Sequence, residues 1–147
     1  MMMNRDAYIY MQVVHKILED NILTLDESEL LDIITQNLDV DKDTVDGVTA
    51  HFAGEARIEL TEAQIAQFGS QTEPKRDKRI FKSVLIQALA DEKITKDELE
   101  IIKVLLDLLH IGKEDRDNIY KEVKKEIIQK YEPQKEQMLQ KFEGVSR

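Results

Sequence analysis

The chain contains no cysteine and no tryptophan. Without a thiol, disulfide staples, thiolate nucleophiles and thiolate metal ligands are all excluded. Five scattered glycines in 147 residues cannot build a glycine-rich phosphate loop. No apolar run approaches the roughly 20 residues of a membrane-spanning helix. The opening Met1-Met2-Met3-Asn4-Arg5 lacks the apolar core of a signal peptide, so a cytoplasmic location is the expectation. A basic face is missing as well: the net charge is −9, which argues against nucleic-acid binding. The one dense basic run, Lys75, Arg76, Lys78 and Arg79, is broken by Asp77 and carries no interleaved aromatics. It reads as the solvated start of a helix.

Catalytic patterns are missing too. His15, His51 and His110 fall in no metal-ligand spacing. Ser28, Ser70, Ser83 and Ser146 sit in no nucleophile elbow. Paired carboxylates abound in so acidic a chain, so no single pair marks a general acid and base. The sequence reads as a non-enzyme with no cofactor.

What the chain has is charge and helical periodicity. Charged residues make up 35% and hydrophobic ones 41%, a balance that suits amphipathic helices with one buried stripe and a wide solvated face. The charge is lopsided. Residues 1–73 carry 15 acids and 4 bases, a balance of −11, whereas residues 74–147 carry 15 acids and 17 bases, a balance of +2. Such a dipolar layout reads either as a soluble acidic surface or as an acidic half that meets a basic partner.

The chain also matches itself. A shift of 71 residues lays Ile9–Phe52 on Ile80–Val123 without a gap, and eleven of the 44 pairs are identical, among them Leu18/Leu89, Asp20/Asp91, Thr24/Thr95, Glu27/Glu98 and Leu38/Leu109. Ordinary residue usage would give about three identities. Eleven of the other 33 pairs are apolar on both sides, as in Tyr10/Phe81, Leu31/Ile102 and Val48/Ile119. A period of this kind fixes the architecture before any other signal. It predicts an all-α fold: two four-helix repeats packed into one helical bundle about a pseudo-twofold axis. The boundaries are about 5–69 for the first repeat, 70–75 for the linker and about 76–142 for the second.

Local signals fill in the helices. Asn4 caps a first helix to about Glu19. Thr24 and Glu27 form a capping box, in which the Thr hydroxyl accepts from the Glu backbone N–H and the Glu side chain reaches back to the Thr N–H. The helix that follows carries Leu30, Leu31, Ile33, Ile34 and Leu38, apolar on most sides, and is expected at the centre of its repeat. A third helix carries Val45, Val48 and Phe52. Thr61 and Gln64 cap a fourth, which Gly69 stops. The second repeat restarts this pattern with a Thr95/Glu98 box. A last helix opens at Pro133 with Met138, Leu139 and Phe142 on its apolar side.

The two turns Asp20…Glu27 and Asp91…Glu98 share one grammar: Asp, two residues, an aliphatic, Thr, two residues, Glu. One reading is structural, with Thr and Glu capping the next helix at about 1 kcal/mol each. The other is a divalent cation, calcium or magnesium, held by Asp20, Glu27, Asp91 and Glu98. Neither turn is an EF-hand loop. The glycine required at loop position six is Asn21 in one and Glu92 in the other, and position one is Lys16 or Gln87. The segment Asp39–Asp43 has the opening acids of such a loop but Thr44 at position six and Ala50 at twelve.

The run Leu85-Ile86-Gln87-Ala88-Leu89-Ala90-Asp91-Glu92-Lys93-Ile94-Thr95-Lys96-Asp97-Glu98, followed by a Leu-rich helix and Leu109-His110-Ile111, resembles the tellurite-resistance TerB-like family. There an Ala-rich helix ends in Ala-Asp-Gly and the Leu-rich helix ends in Leu-Gly-Leu. Here Glu92 and His110 stand where the family has glycine. The resemblance covers about half the chain and implies an internally duplicated helical fold, a non-enzymatic role near stress responses or membrane-associated complexes, and acidic metal-associated residues at Asp20, Glu27, Asp91 and Glu98. The function expected from the sequence is a protein-interaction module with a basic or membrane-associated protein partner. Its docking surface would be an apolar groove between the units or the helix 133–142. Nothing in the pattern requires a particular oligomeric state.

Overall fold

A computed structural model describes residues 3–20, 24–90 and 96–130, with the backbone alone at 20, 26, 90 and 127–130. Seven α-helices and no strand occur among the described residues, in keeping with the all-α expectation. They are α1 (Arg5–Ile17), α2 (Leu25–Asn37), α3 (Lys42–Phe52), α4 (Glu62–Ser70), α5 (Pro74–Ala90), α6 (Lys96–Leu108) and α7 (Lys113–Lys130), with a 3₁₀ turn at Leu18–Asp20 after α1. The turn residues 21–23 and 91–95, the Thr95 cap and the helix expected from Pro133 lie outside the described residues.

The helix starts follow from their caps. Asn4 accepts from the Ala7 N–H at 2.8 Å. Glu27 N–H donates to the Thr24 hydroxyl and Thr24 N–H donates to the Glu27 carboxylate, each at 3.2 Å. The Thr61/Gln64 box closes in the same way at 3.1 and 2.9 Å. Asp41 caps α3 by accepting from the Thr44 N–H at 2.8 Å. That bond, with the Thr44 hydroxyl, holds the Asp41 carboxyl below the usual carboxylate range. Each such bond satisfies a donor that the first helical turn leaves without an intrahelical partner.

Three boundaries differ from the sequence expectation. The α-helical part of α1 stops at Ile17 and tightens into 3₁₀ through Asp20, a common ending for a helix. Helix α4 runs one residue past Gly69, to Ser70. Helix α5 starts at Pro74, so the linker shrinks to residues 71–73. Proline suits a first helical position because it has no N–H to satisfy there.

Helix α6 ends in a Schellman motif. His110 N–H donates to the Asp107 carbonyl at 3.2 Å and Ile111 N–H to the Leu106 carbonyl at 3.3 Å. His110 takes φ 55°, the left-handed conformation that this motif usually gives to glycine.

One apolar cluster joins both halves of the chain. It draws Ile9, Val13 and Ile17 from α1, Leu30 and Ile34 from α2, and Phe81, Val84 and Leu85 from α5. From α6 come Ile101, Ile102, Leu105 and Leu106, and from α7 Tyr120 and Val123. Each of these side chains contributes about 1.5–3 kcal/mol by leaving water. Helix α1 packs along α6 and α2 along α5, while α5 also packs along α7. Helices α2 and α6, expected to be buried on most sides, each bury one stripe instead: Glu27, Leu30, Ile34 and Leu38 along α2 and its end, and Glu98, Ile101, Ile102, Leu105, Leu106 and Leu109 along α6 and its end, with Glu29, Asp32, Lys103 and Asp107 exposed opposite.

Candidate functional site

Three arrangements in the fold carry enough chemistry to weigh. The first is the seam where the acidic turns were expected to meet. Lys16, Glu19, Glu27, Asp97, Glu100 and Ile101 line a small cleft of about 40 Å³ between the α1–α2 turn and the start of α6. Lys16 bridges to Glu19 at 2.9 Å. Of the four residues read as cation ligands, Glu27 is buried and its carboxylate serves the cap, taking both the N–H and the hydroxyl of Thr24. Glu98 is buried in the first turn of α6, the position of Glu27 in α2. The Asp20 side chain and Asp91 lie outside the described residues. Among the described residues, no group of three or more histidines and carboxylates is placed to hold a metal ion.

The second arrangement joins the starts of α1 and α5. Arg5 donates two hydrogen bonds to Asp77, at 2.7 and 2.9 Å. Arg76 donates to both oxygens of Asp6, one of these contacts at 3.0 Å. Asp6 also accepts from the Asp39 N–H at 2.6 Å, and Asp77 from the Glu73 N–H at 3.0 Å. These groups border a polar cleft of about 700 Å³ lined by Asn4, Asp39, Gln71, Thr72 and Glu73 besides. Fork-to-fork pairing of guanidinium with carboxylate is the strongest form of ion pair, and the bond to Asp6 raises the Arg76 pKa. Asp77 is only 1% exposed and Arg5 6%.

Sequence reasoning read Arg76 and Asp77 as part of a solvated helix start, and the structure corrects this. Two helix N-termini close on one another there, an approach that local charge pattern does not report. A signal was present all the same. The 71-residue shift also pairs Arg5 with Arg76 and Asp6 with Asp77, two further identities upstream of Ile9. Arg5 Nε is buried without an acceptor, a desolvation cost of about 1–3 kcal/mol. The clasp therefore fixes geometry more than it adds net stability.

The third arrangement is an apolar groove of about 300 Å³ between α1, α2 and α3, lined by Tyr10, Val14, Ile17, Leu18, Leu31, Thr49, Phe52 and Ala53. Val14, Leu18, Leu31 and Phe52 are half-buried, and Thr49 and Ala53 are exposed. Phe52 forms its outer wall. His15 stacks on that ring with centroids 6.2 Å apart, and His51 meets it edge-on at 5.0 Å. His51 Nδ1 accepts from the Ile58 N–H at 3.0 Å, which assigns the ring's proton to Nε2 in its neutral form. Burial and the nearby Asp32 carboxylate push the Tyr10 phenol pKa up. The sequence analysis expected a groove between the units; this one lies within the first.

No helix among the described residues is long and apolar enough to cross a membrane. Searches with the sequence and the structure give no match to a family model, a curated protein or a solved structure.

Proposed function

We propose that this chain is a non-catalytic protein-interaction module of the TerB-like kind, made of two copies of one helical unit packed about a pseudo-twofold axis. Its first unit is the one that meets a partner. The duplication has three supports. Helices α2 and α6 begin and end 71 residues apart. The packing of α1 on α6 becomes that of α5 on α2 when the units are exchanged. The clasp does the same: Arg5 to Asp77 becomes Arg76 to Asp6. Reciprocal contacts of this form are what twofold symmetry requires of an interface. The TerB-like likeness gains from His110, whose left-handed backbone stands where that family has glycine.

One observation carries the functional reading. On a shared scaffold, the first unit leaves an apolar groove open, and two of the three helices around it, α2 and α3, are acidic. Helices α2 and α3 together hold six carboxylates and one lysine. An exposed apolar recess with a charged rim is the usual mark of a binding surface. Affinity capture with the purified full chain tests the reading. A specific partner that is retained at low salt and released as salt rises is the expected result, and the absence of any specific partner at low salt overturns it.

A divalent-cation binder is the second reading. It keeps Asp20, Glu27, Asp91 and Glu98 as ligands, and the observation that favours it is that Glu27 borders a cleft whose lining is mostly carboxylates, although no three of the described ones converge on a point. Calorimetry with calcium, magnesium and zinc decides it: no heat and no shift in Tm removes the idea.

A further inference from the structure

We infer that the groove between α1, α2 and α3 is a socket for a single aromatic side chain, presented by a basic segment of a partner protein. The inference rests on the interaction-module reading and names what that module recognises. The argument comes from the chain's own second unit. At a shift of 71 residues, the groove positions Tyr10, Val14, Ile17, Leu18, Leu31 and Phe52 become Phe81, Leu85, Ala88, Leu89, Ile102 and Val123. All six of those are at most 1% exposed. The same surface is thus sealed in one unit and open in the other.

The difference is largest at one position, although α7 is also longer than α3. Thr49 in α3 matches Tyr120 in α7. Tyr120 is 1% exposed, and its ring meets Phe81 edge-on with centroids 6.1 Å apart. Edge-to-face contact at this distance is a favoured aromatic geometry. Phe81 is the counterpart of Tyr10, so the second unit fills with a tyrosine the place that Thr49 leaves vacant beside Tyr10. Packing follows suit: α5 and α7 lie close along one another, whereas α1 and α3 touch only weakly. The unfilled volume, about 300 Å³, is ample for a ring, since an apolar cavity of about 150 Å³ already takes up benzene.

The rim selects the charge of what arrives. Asp32 lies near enough to Tyr10 to act on its phenol, and Asp46 is exposed on α3, one turn before Thr49. Basic residues flanking the ring would meet these carboxylates, whereas acidic ones would be repelled.

The test uses the full chain and three capped pentapeptides: Lys-Lys-Tyr-Lys-Lys, Glu-Glu-Tyr-Glu-Glu and Lys-Lys-Ala-Lys-Lys. Binding is followed at low salt by NMR of the Val14, Leu18 and Leu31 methyl groups. The lysine-flanked tyrosine peptide is expected to shift these methyls in a saturable way and to bind at least about tenfold more tightly than the glutamate-flanked one, a difference of about 1.4 kcal/mol. The alanine peptide is expected to leave them unmoved. Thr49→Tyr, which copies the second unit, is expected to abolish the shifts while keeping or raising Tm, and Thr49→Ser to retain binding. Circular dichroism verifies that both variants fold, and Ala53→Trp serves as a second way to block the socket.

Equal shifts with the alanine peptide, no saturable shift with the tyrosine peptide, or undiminished binding by both blocked variants would each overturn the socket. So would a dimer of the free chain that dissociates on Thr49→Tyr, or contacts from residues 131–147 to these methyls in the free chain. A captured partner that holds wild type and Thr49→Tyr equally well overturns the socket but leaves the interaction module standing. Loss of both peptide binding and capture removes the two together.

Discussion

Arg5 and Asp77, 72 residues apart in sequence, face each other as a buried fork-to-fork pair, with both guanidinium–carboxylate bonds under 3 Å. Beside them Arg76 grips Asp6 in the mirrored sense. The result ties the first turn of α1 to the first turn of α5. The tie lies next to a polar cleft.

The first prediction concerns this clasp. Asp77→Ala removes the fork partner of the buried Arg5, leaving it only the exposed Glu73 at 4.0 Å, and is expected to cost about 3 kcal/mol. Replacing both partners, as Arg5→Met with Asp77→Leu, is expected to cost far less than the single change, because no charge is then stranded. Asp6→Ala should also destabilise the fold, by less, since Arg76 keeps Glu73 at 3.2 Å while the Asp39 N–H loses its acceptor. Urea unfolding of the three variants checks the order. A double variant that costs as much as Asp77→Ala, or more, would show that the pair is no coupled unit.

The second prediction separates cap from cation site. Thr24→Ala removes the hydroxyl that accepts from Glu27 N–H and is expected to cost about 1 kcal/mol. If capping is the whole role of the turn, that cost stays the same with millimolar calcium or magnesium present. Melting curves with and without the ions measure it. A cost that appears only when the ion is present would assign the turn to cation binding instead.

The third prediction follows from Tyr10. Burial, and secondarily Asp32, raises its phenol pKa above the ordinary 10.0. The native state therefore favours the neutral phenol. The associated stability is fully present below the unfolded pKa and is lost as pH rises through the folded one. Tyr10→Phe removes this term, and the ring still fits, since Phe81 fills the matching place in the second unit. The Tm of wild type is expected to fall relative to Tyr10→Phe once pH rises past the ordinary phenol value of 10.0, while the two run parallel from about pH 6 to pH 8. Parallel curves across the whole range would mean that Tyr10 does not titrate with unfolding.

Most of the scaffold was readable because helix signals are local. Asn4, Thr24 and Thr61 announce their helices through side-chain oxygens that can only do one job at that spacing, and all three do it. The apolar stripes of α2 and α6 were readable, though each is narrower than the sequence suggested. The clasp was not, because the burial of Arg5 and Asp77 depends on how closely two helix starts approach, and a charged residue in an amphipathic helix reads as solvent-facing by default. Nor was the groove. Thr49 is an unremarkable surface residue until its counterpart Tyr120 is seen at 1% exposure. Glu27 was readable in two ways, and the Thr24 contacts to its Oε1 show the cap.

The last prediction turns on the end of α6. His110 holds φ 55°, a conformation that costs an ordinary residue about 1–2 kcal/mol because Cβ crowds the following carbonyl. Glycine escapes that crowding, though its freer unfolded chain takes back about 0.5–1 kcal/mol. His110 also contacts the Gly69 carbonyl through Nε2, linking the end of α6 to α4. His110→Gly and His110→Ala both remove this contact, so their difference isolates the backbone. His110→Gly is expected to melt above His110→Ala, by the several degrees that about 1 kcal/mol represents in a chain of this size. With the backbone strain gone, His110→Gly should sit close to wild type, whereas His110→Ala falls below it. If alanine proved the more stable of the two, the α6 end would not be left-handed in solution. The Schellman bonds from His110 and Ile111 would then be lost with it.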